Sequence, residues 1–253
     1  MKKIYFFLLA LFAFASCAKE VSIPQNATPV KEVAGIYPDY RDITIPPNIA
    51  PLNFQVTAKG DNFVGVIQGQ GVQLVAGGNE DGKLFLDSTE WRKLLTANKG
   101  RDLSVELYAE RNGQWVSFPK YVIHVAKEPI DKYLSYRLIE PSYELYRQLG
   151  IYQRDLENFE QTPIYENNRT FDEKENHCIN CHNYQAYDTK RMLFHVRAIH
   201  GGTMLIENGK IEKLNMKTDS TLANTVYPTW HPTRNWVVFS SNKTGQAFHM
   251  INK

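Results

Sequence analysis

Two cysteines and two histidines lie within six residues near the middle of the chain, in the stretch His177-Cys178-Ile179-Asn180-Cys181-His182. The spacing Cys-x-x-Cys-His is the attachment signature of c-type haem. Two thiols three positions apart can each form a thioether with a vinyl group of one porphyrin, and the residue after the second cysteine then lies under the iron. The sequence therefore predicts one covalently bound haem c on Cys178 and Cys181, with His182 as the proximal iron ligand.

Two other kinds of site also use a Cys-x-x-Cys pair, namely a thioredoxin-like redox site and a zinc site. A structural zinc site takes four ligands, and the chain has no second cysteine pair because its remaining cysteine is Cys17. A redox pair normally begins a helix of a βαβ unit, whereas a polar run over residues 166–176 precedes Cys178. Haem is the preferred prediction because the N-terminus indicates export, and haem is attached covalently outside the bacterial cytoplasm.

Residues 1–16 have the pattern of a secretory signal peptide. Lys2 and Lys3 give a charged start, and the apolar run that ends at Phe14 is too short to span a bilayer stably. Phe14-Ala15-Ser16-Cys17 resembles a bacterial lipobox, in which cleavage leaves the cysteine as a diacylated N-terminus. The alternative is an ordinary signal peptide with an incidental cysteine. We expect Cys17 to be lipidated and to anchor an exported protein to the outer membrane, in the periplasm or at the cell surface, without a transmembrane helix.

The charge balance excludes one class of partner. The precursor has 29 Lys plus Arg and 27 Asp plus Glu, and loss of Lys2 and Lys3 with the signal peptide leaves 27 of each. A nearly neutral chain gives no electrostatic basis for binding nucleic acid. The expected partners are the membrane, through the lipid anchor, and a redox partner that the sequence does not identify.

The predicted fold class is mainly β, beginning with an immunoglobulin-like β-sandwich. Residues 17–36 contain prolines and polar groups with few large apolar side chains, which predicts a lipidated tether. In residues 37–128, short apolar runs alternate with turn residues, as in a sandwich. The turn Arg111-Asn112-Gly113 predicts a hairpin between strands over residues 103–109 and 115–125.

A helix is predicted within the sandwich domain. Asp87 or Ser88 can cap its N-terminus. Its apolar face is formed by Trp91, Leu94 and Leu95. No residue of this domain is predicted to be catalytic.

Residues 129–200 are predicted to form the haem-binding segment. Pro141 and Gly150 bracket a short helix, and aromatic residues crowd the first part of the segment. These are Tyr133, Tyr136, Tyr143, Tyr146, Tyr152, Phe159 and Tyr165. Core packing is their ordinary role, but a haem face also needs apolar cover, so they are candidates for part of the pocket wall.

A haem electron carrier usually has a second axial ligand, commonly His or Met. Residues 192–197 have the pattern of a strand, in which side chains alternate between Leu193, His195 and Arg197 on one face and Met192, Phe194 and Val196 on the other. His195 is the first choice for the iron, because Arg197 on the same face could then bind a haem propionate. Met192 is the second choice and His200 the third. The alternative is a five-coordinate iron with an open sixth position.

Residues 201–253 are predicted to be the first part of a β-propeller. Asn208-Gly209 is the strongest short hairpin signal. The order of residues from Pro228 to Pro232, followed by an apolar strand that ends in Phe239-Ser240-Ser241-Asn242, resembles the TolB-like β-propeller repeat. In that family an aromatic-x-Pro element makes a turn before a central blade strand, and we expect His231 to serve this turn. About one blade fits here, whereas a propeller needs about four, so the propeller is interpreted as incomplete and the chain as a fragment.

Several segments between Tyr133 and His249 together resemble a family of Bacteroidetes exported lipoproteins that combine a c-type haem motif with a TolB-like propeller. The segments are Leu138 to Pro141, Gly150 to Asn158, Cys178 to Asn183, Met192 to His195 and Val226 to Pro232. The resemblance implies haem binding and electron transfer rather than a named reaction, and an electron carrier is preferred to an enzyme. Two alternatives stay open: a protein- or glycan-binding module with a structural haem, and a haem peroxidase or sensor with an open iron site.

Overall fold

The structure of the chain is a computed structural model that describes residues 21–139, 149–169, 172, 174, 177–241 and 243. Strands make up 48% of these residues and helices 9%, so the predicted mainly β class is confirmed. The signal peptide, Cys17 and most of the helix predicted before Gly150 lie outside the described residues. No helix in the described part of the chain is long and apolar enough to span a bilayer. The chain divides into two compact units, Met1–Ile130 and Asp131–Lys253.

In residues 21–130, the described part of the first unit, the chain forms short and medium-length strands and one α-helix. These elements are β1 (Thr28–Pro29), β2 (Ile36–Tyr37), β3 (Ile43–Ile45), β4 (Phe54–Val56), β5 (Asn62–Gly69), β6 (Val72–Gly78), β7 (Lys83–Leu84), α1 (Ser88–Ala97), β8 (Asp102–Arg111), β9 (Gln114–Ser117) and β10 (Tyr121–Val125).

Strand β8 is the centre of a seven-stranded sheet. One edge of β8 pairs antiparallel with β5, which pairs in turn with β6, and its other edge pairs with β9 and β10. The outermost strands β1 and β3 add parallel to β9 and β10. A second sheet has the order β2-β4-β7, and no sheet is closed within the described residues.

The main hydrophobic core of the first unit draws side chains from both sheets and from α1. Strand β5 shows how alternation distributes them: Phe63 and Ile67 join this core, whereas Val64 and Val66 join a smaller cluster with Tyr108. The seven-stranded sheet therefore buries apolar side chains on both of its faces.

Helix α1 begins and packs as the sequence predicts. Asp87 Oδ1 accepts hydrogen bonds from the N–H groups of Thr89 and Glu90, each at 2.9 Å, which satisfies two of the free donors of the first turn. The predicted apolar face is buried in the main core through Trp91, Leu94 and Leu95. The cap and the apolar face together fix the start and the orientation of the helix.

The predicted hairpin between β8 and β9 is confirmed, and one predicted strand is wrong. Asn112 and Gly113 have positive φ angles of 52° and 74°, as a two-residue hairpin turn requires. The strand predicted over residues 115–125 is two elements, because β9 ends at Ser117 and β10 begins at Tyr121. Pro119 lies between them and has no N–H to donate to a ladder.

The second unit contains strands and three short 3-10 helices in its described residues. The strands are β11 (Tyr133–Leu138), β12 (Gly150–Asp155), β13 (Gln161–Glu166), β14 (Cys178–Tyr184), β15 (Arg191–Arg197), β16 (Gly202–Glu207), β17 (Lys210–Leu214), β18 (Thr225–Trp230) and β19 (Val237–Ser241). The 3-10 helices are Asn167–Arg169, Gln185–Tyr187 and Ala198–His200.

The described strands of the second unit form two antiparallel meanders, with the orders β11-β12-β13 and β14-β15-β16-β17, and one hairpin, β18-β19. The predicted turn at Asn208-Gly209 joins β16 to β17, with φ angles of 51° and 78°. The four-stranded sheet runs across position 200/201, where we expected the haem-binding segment to end. The last part of that segment, β14 and β15, therefore forms one sheet with the hairpin that follows it, whereas β11, β12 and β13 form a separate sheet.

The last described hairpin turns where the repeat resemblance expects it. His231 Nδ1 accepts hydrogen bonds from the backbone N–H groups of Thr233 (3.2 Å) and Arg234 (3.0 Å). The N–H of His231 donates to the Trp236 carbonyl at 2.8 Å. The predicted role of His231 in this turn is confirmed, and strand β19 follows it directly.

Candidate functional site

The Cys-x-x-Cys-His motif lies on β14, the first strand of the four-stranded sheet. In its pairing with β15, Cys178 lies opposite Arg197 and Asn180 lies opposite His195. Ile179 belongs to the other face of the strand, where it is 0% exposed within the hydrophobic core of the second unit. Ile179 is the fully buried anchor of the strand, and Cys178 and Tyr184 pack against the same core.

A β-bulge interrupts the strand at the second half of the motif. The pairing register shifts between Asn180 and Asn183, so Cys181 and His182 have no partners in the ladder. Cys181 has a positive φ of 58°, and its N–H donates to Asn180 Oδ1 at 2.9 Å. The Asn180 side chain thus supports the left-handed backbone of the bulge.

The bulge changes how the two thiols are placed along the strand. Burial raises the pKa of Cys178, the charges of Arg197 and Arg137 lower it in part, and Cys181 raises it further. On a regular strand, residues three positions apart point to opposite faces. Because the bulge breaks this alternation, Cys181 is not held on the face opposite to Cys178 by the strand ladder.

The cysteines do not have the properties of a thioredoxin-like pair. The attacking cysteine of such a pair has a lowered pKa, whereas the net shift in the pKa of Cys178 is upward, with burial as the main cause. Both cysteines are free thiols and half-buried. Cys178 is therefore a protonated thiol at neutral pH.

His182 is half-buried, and its ring donates a hydrogen bond to the backbone carbonyl of Ser135. Burial lowers the pKa of His182, this hydrogen bond raises it and the charge of Arg137 lowers it, with a net downward shift. The imidazole is therefore neutral at pH 7, and the ring nitrogen that does not donate is an acceptor. Metal-bound histidines have this arrangement, because the hydrogen bond fixes the tautomer and the ring orientation.

Strand β11 supplies further contacts to the motif strand. Ser135 Oγ lies 2.6 Å from Tyr184 Oη, and Arg137 Nη1 donates a hydrogen bond to Asn180 Oδ1. Together with the Ser135 carbonyl, these groups hold β14 on both sides of the bulge.

Sequence analysis misses Ser135 and Arg137, because it considers only the aromatic residues of this segment. A signal for them exists in the alternation of polar and apolar side chains along residues 133–138. That pattern predicts a strand with a polar face, but it does not identify what the face contacts.

The first-choice second iron ligand lies beside the motif strand. His195 is 3% exposed and lies opposite Asn180, with its Nδ1 3.5 Å from Thr203 Oγ1. Burial lowers the pKa of His195, and the charge of Arg197 lowers it further, so this ring too is neutral. The structure brings His195 and Arg197 to the face of the sheet that carries Cys178, as the predicted alternation requires.

The second and third choices lie elsewhere. Met192 is 2% exposed in the core of the second unit, together with Ile179 and Phe194, on the face of the sheet opposite to Cys178. Apolar packing accounts for its position. His200 is exposed in its 3-10 helix, with its ring centroid 6.0 Å from that of His177. Among the three choices, His195 is the one placed across from the motif.

The aromatic residues expected to line a pocket are divided among several environments. Tyr136 and Tyr152 stack on each other across β11 and β12, with centroids 6.1 Å apart. Tyr165 packs 5.8 Å from Phe194 in the core. The others are either exposed, as are Tyr133 and Phe159, or outside the described residues, as are Tyr143 and Tyr146.

Within the described ranges, no group of three or more His, Cys, Asp or Glu side chains is arranged to hold a metal ion. A structural zinc ion takes four protein ligands, so the zinc alternative gains no support here. A c-type haem requires less of the protein, because the porphyrin surrounds the iron with its own nitrogens. The protein supplies two thioether sulfurs and an axial ligand, and the donor set of the motif fits this requirement.

Comparison of the chain with models of known protein families and with curated protein sequences finds no match. The assignment of a cofactor to this site therefore rests on the geometry of the motif and on its chemistry.

Proposed function

We propose that the chain is an exported, membrane-anchored c-type haem protein that transfers electrons outside the cytoplasm. One observation carries the proposal: the bulge in β14 releases Cys181 and His182 from the strand ladder directly after Cys178, and His182 is a neutral histidine whose ring is fixed by a backbone carbonyl. Covalent attachment of haem requires these groups at this spacing.

Cys178 and Cys181 hold the cofactor in this proposal. Each thiol adds across one vinyl double bond, so that sulfur bonds to one carbon and the thiol hydrogen goes to the other, with no net oxidation. Thiols that remain protonated attack disulfides slowly. The raised pKa of Cys178, caused mainly by burial, therefore keeps this thiol available for the addition.

His182 would hold the iron through one ring nitrogen, and the hydrogen bond to the Ser135 carbonyl would determine which nitrogen is free to do so. His195 is the proposed second axial ligand, because it is neutral, buried and across from the motif. When bound, haem supplies reversible one-electron chemistry, with a potential set by the axial ligands and the surrounding charges. The two histidines orient the group, and Ile179 fixes the strand that carries it.

We propose that the first unit is an immunoglobulin-like sandwich of its two sheets. The support is a single main core that draws side chains from β2, β4 and β7 of the small sheet and from β5 and β8 of the large one. Two sheets that share one core in this way are the basis of sandwich folds.

For the second unit we propose blades of a TolB-like β-propeller. Two meanders and a hairpin follow one another along the described chain, and the first strand of each of these sheets contacts the first strand of the next. Arg137 on β11 donates to Asn180 on β14, and the N–H of Trp230 on β18 lies 3.4 Å from Asn183 Oδ1 on β14. Successive propeller blades are antiparallel sheets packed around a common axis.

The membrane anchor of the proposal is a lipid on Cys17, which would hold the protein on the outer membrane, in the periplasm or at the cell surface. Its partner is a redox protein, and nucleic acid is not a partner. Labelling of cells with an alkyne fatty acid tests the anchor: wild-type protein becomes labelled and Cys17→Ser does not.

The full-length protein, co-expressed with a cytochrome c maturation system, tests the haem assignment. We expect a pyridine haemochrome spectrum and an intact mass that correspond to one haem per chain. The double variant Cys178→Ser, Cys181→Ser should lose the haem, and Cys17→Ser is the matched control that should retain it. Wild-type protein that stays colourless, with no mass beyond its amino acids and lipid, would show that the proposal is wrong.

A further inference from the structure

The face of the sheet that carries Cys178 also carries two guanidinium groups from different strands. Arg197 on β15 lies directly opposite Cys178. Arg137 on β11 donates to Asn180, which lies two residues after Cys178 and so shares its face of β14. Burial raises the pKa of Cys178, and the charges of both guanidinium groups lower it in part, in keeping with these two placements.

Three carboxylates in the described part of the second unit form ion pairs, and each does so with a cation other than Arg137 or Arg197. These pairs join Lys132 to Asp155, Arg169 to Glu166 and Arg191 to Glu207. No carboxylate in the described part of this unit forms an ion pair with Arg137 or Arg197. Arg137 and Arg197 are half-buried. Neither has a carboxylate partner among the described residues of the second unit.

We propose that Arg137 and Arg197 form a binding site for two carboxylates, those of the haem propionates. The inference rests on the proposed function, and it adds Arg137, a residue from another sheet, to the Arg197 expected from the sequence. A guanidinium binds a carboxylate through two parallel N–H···O bonds. A guanidinium has five N–H donors. The contact with Asn180 uses one donor of Arg137, so the others can bind a carboxylate.

Two positive charges beside the cofactor also affect its reduction potential. The oxidised iron carries one more positive charge than the reduced iron, so nearby guanidinium groups favour the reduced form. Removal of either group should lower the reduction potential of the holoprotein, and removal of both should lower it further.

The first experiment measures carboxylate recognition directly. Full-length protein made without maturation machinery is titrated with iron protoporphyrin IX and with its dimethyl ester, in which both carboxylates are uncharged. We expect the wild type to bind the free acid more tightly, and Arg137→Gln and Arg197→Gln each to reduce that preference about tenfold. The ester should bind the wild type and the variants equally well.

Lys210→Gln is the matched loss of one positive charge. Lys210 pairs with Glu207, which lies opposite Arg191 at the far end of β15 from Arg197. This variant should keep the wild-type preference for the free acid. Equal binding of acid and ester by the wild type would overturn the inference, as would an unchanged preference in Arg137→Gln and Arg197→Gln.

The second experiment separates binding of carboxylates from a purely structural role of Arg137. If Arg137 only holds Asn180, Arg137→Gln lowers the thermal stability but leaves the preference for the free acid intact, and the inference is wrong. Arg137→Lys keeps the charge without the planar fork. The reduction potential of this holoprotein variant should stay close to that of the wild type. Its apo-protein should bind the free acid less tightly than the wild type does.

Failure of the inference and failure of the proposed function give different results. If the maturation system attaches no haem to the wild type, the proposed function is wrong. If haem is attached but the apo-protein does not distinguish the acid from the ester, only the inference about Arg137 and Arg197 is wrong.

Discussion

The imidazole of His182 donates its hydrogen bond to the backbone carbonyl of Ser135, on a strand of a different sheet. Because the acceptor belongs to the main chain, the orientation of the ring depends on where β11 lies rather than on the side chain at position 135. The adjacent contact of Ser135 Oγ with Tyr184 Oη helps to hold β11 in that place. The stability of this part of the second unit can be tested at Tyr184.

Tyr184→Phe removes the hydroxyl that lies 2.6 Å from Ser135 Oγ. Both groups are partly buried, so we expect the free energy of unfolding to fall by about 1 kcal/mol, measured by urea denaturation of the full chain. Tyr187→Phe removes the same atom from a side chain that is 89% exposed and should have no measurable effect. Equal stabilities of the two variants would contradict a structural role for the Ser135–Tyr184 contact.

Replacement of His195 tests the second axial ligand in the holoprotein. We expect wild-type haem to be low-spin and its optical spectrum to stay unchanged in modest concentrations of cyanide. His195→Ala should become high-spin and respond to cyanide at once, because its sixth position is open. Met192→Leu, a change within the apolar core, should behave like the wild type. A wild type that responds to cyanide would instead support the peroxidase or sensor alternative.

The first unit contains a histidine bound by two carboxylates. His124 Nδ1 lies 2.7 Å from Asp102 Oδ1, and its Nε2 lies 3.0 Å from Asp42 Oδ1. The hydrogen bonds to Asp42 and Asp102 raise the pKa of His124 above 6.5. The protonated ring therefore stabilises the fold fully below pH 6.5, and this contribution is lost as the pH rises through the raised pKa.

The test of this pH dependence uses His124→Gln. The wild type should lose stability between pH 6 and 8 more steeply than the variant, measured by urea denaturation across this range, because the variant has no proton to release there. An NMR titration of the wild type should give a pKa for His124 above that of an unperturbed histidine. A titration at or below 6.5 would contradict the two contacts.

Leu94→Ala tests the main core of the first unit. The Leu94 side chain is 0% exposed between α1 and the sheets, so its truncation leaves a cavity and should cost about 2–5 kcal/mol of stability. Val33→Ala, at a side chain that is 58% exposed, should change stability by less than about 0.5 kcal/mol. Thermal or urea unfolding of both variants provides the comparison.

The elements that could be predicted from the sequence are those set by local chemistry. Asp87 caps α1 by hydrogen bonds to residues two and three positions further along the chain. The turns at Asn112-Gly113 and Asn208-Gly209 need only residues that accept positive φ. The alternation along β15 could also be predicted, because residues 192–197 are enough to show an apolar face formed by Met192, Phe194 and Val196. In each case the residues that determine the structure are adjacent in the chain.

The strand that carries the motif could not be predicted in this way. Ile179 is the one apolar side chain between Cys178 and His182, so the stretch has the composition of a loop. It pairs as a strand because β15 offers a partner and because Ile179 enters a core built from β12, β15 and their neighbours. The bulge depends in turn on Asn180 and on Arg137 from another sheet, and no local pattern indicates such long-range contacts.

The strand order of the second unit also has a consequence for the timing of assembly. Each of its pairings joins strands that are adjacent in the chain, and hairpins of this kind close in about 1–10 μs. The first unit must instead bring β3 beside β10 and β1 beside β9, which closes much longer loops and is slower. The β14–β15 hairpin therefore forms soon after its residues become available, and any enzyme that modifies Cys178 and Cys181 competes with a rapid local folding reaction.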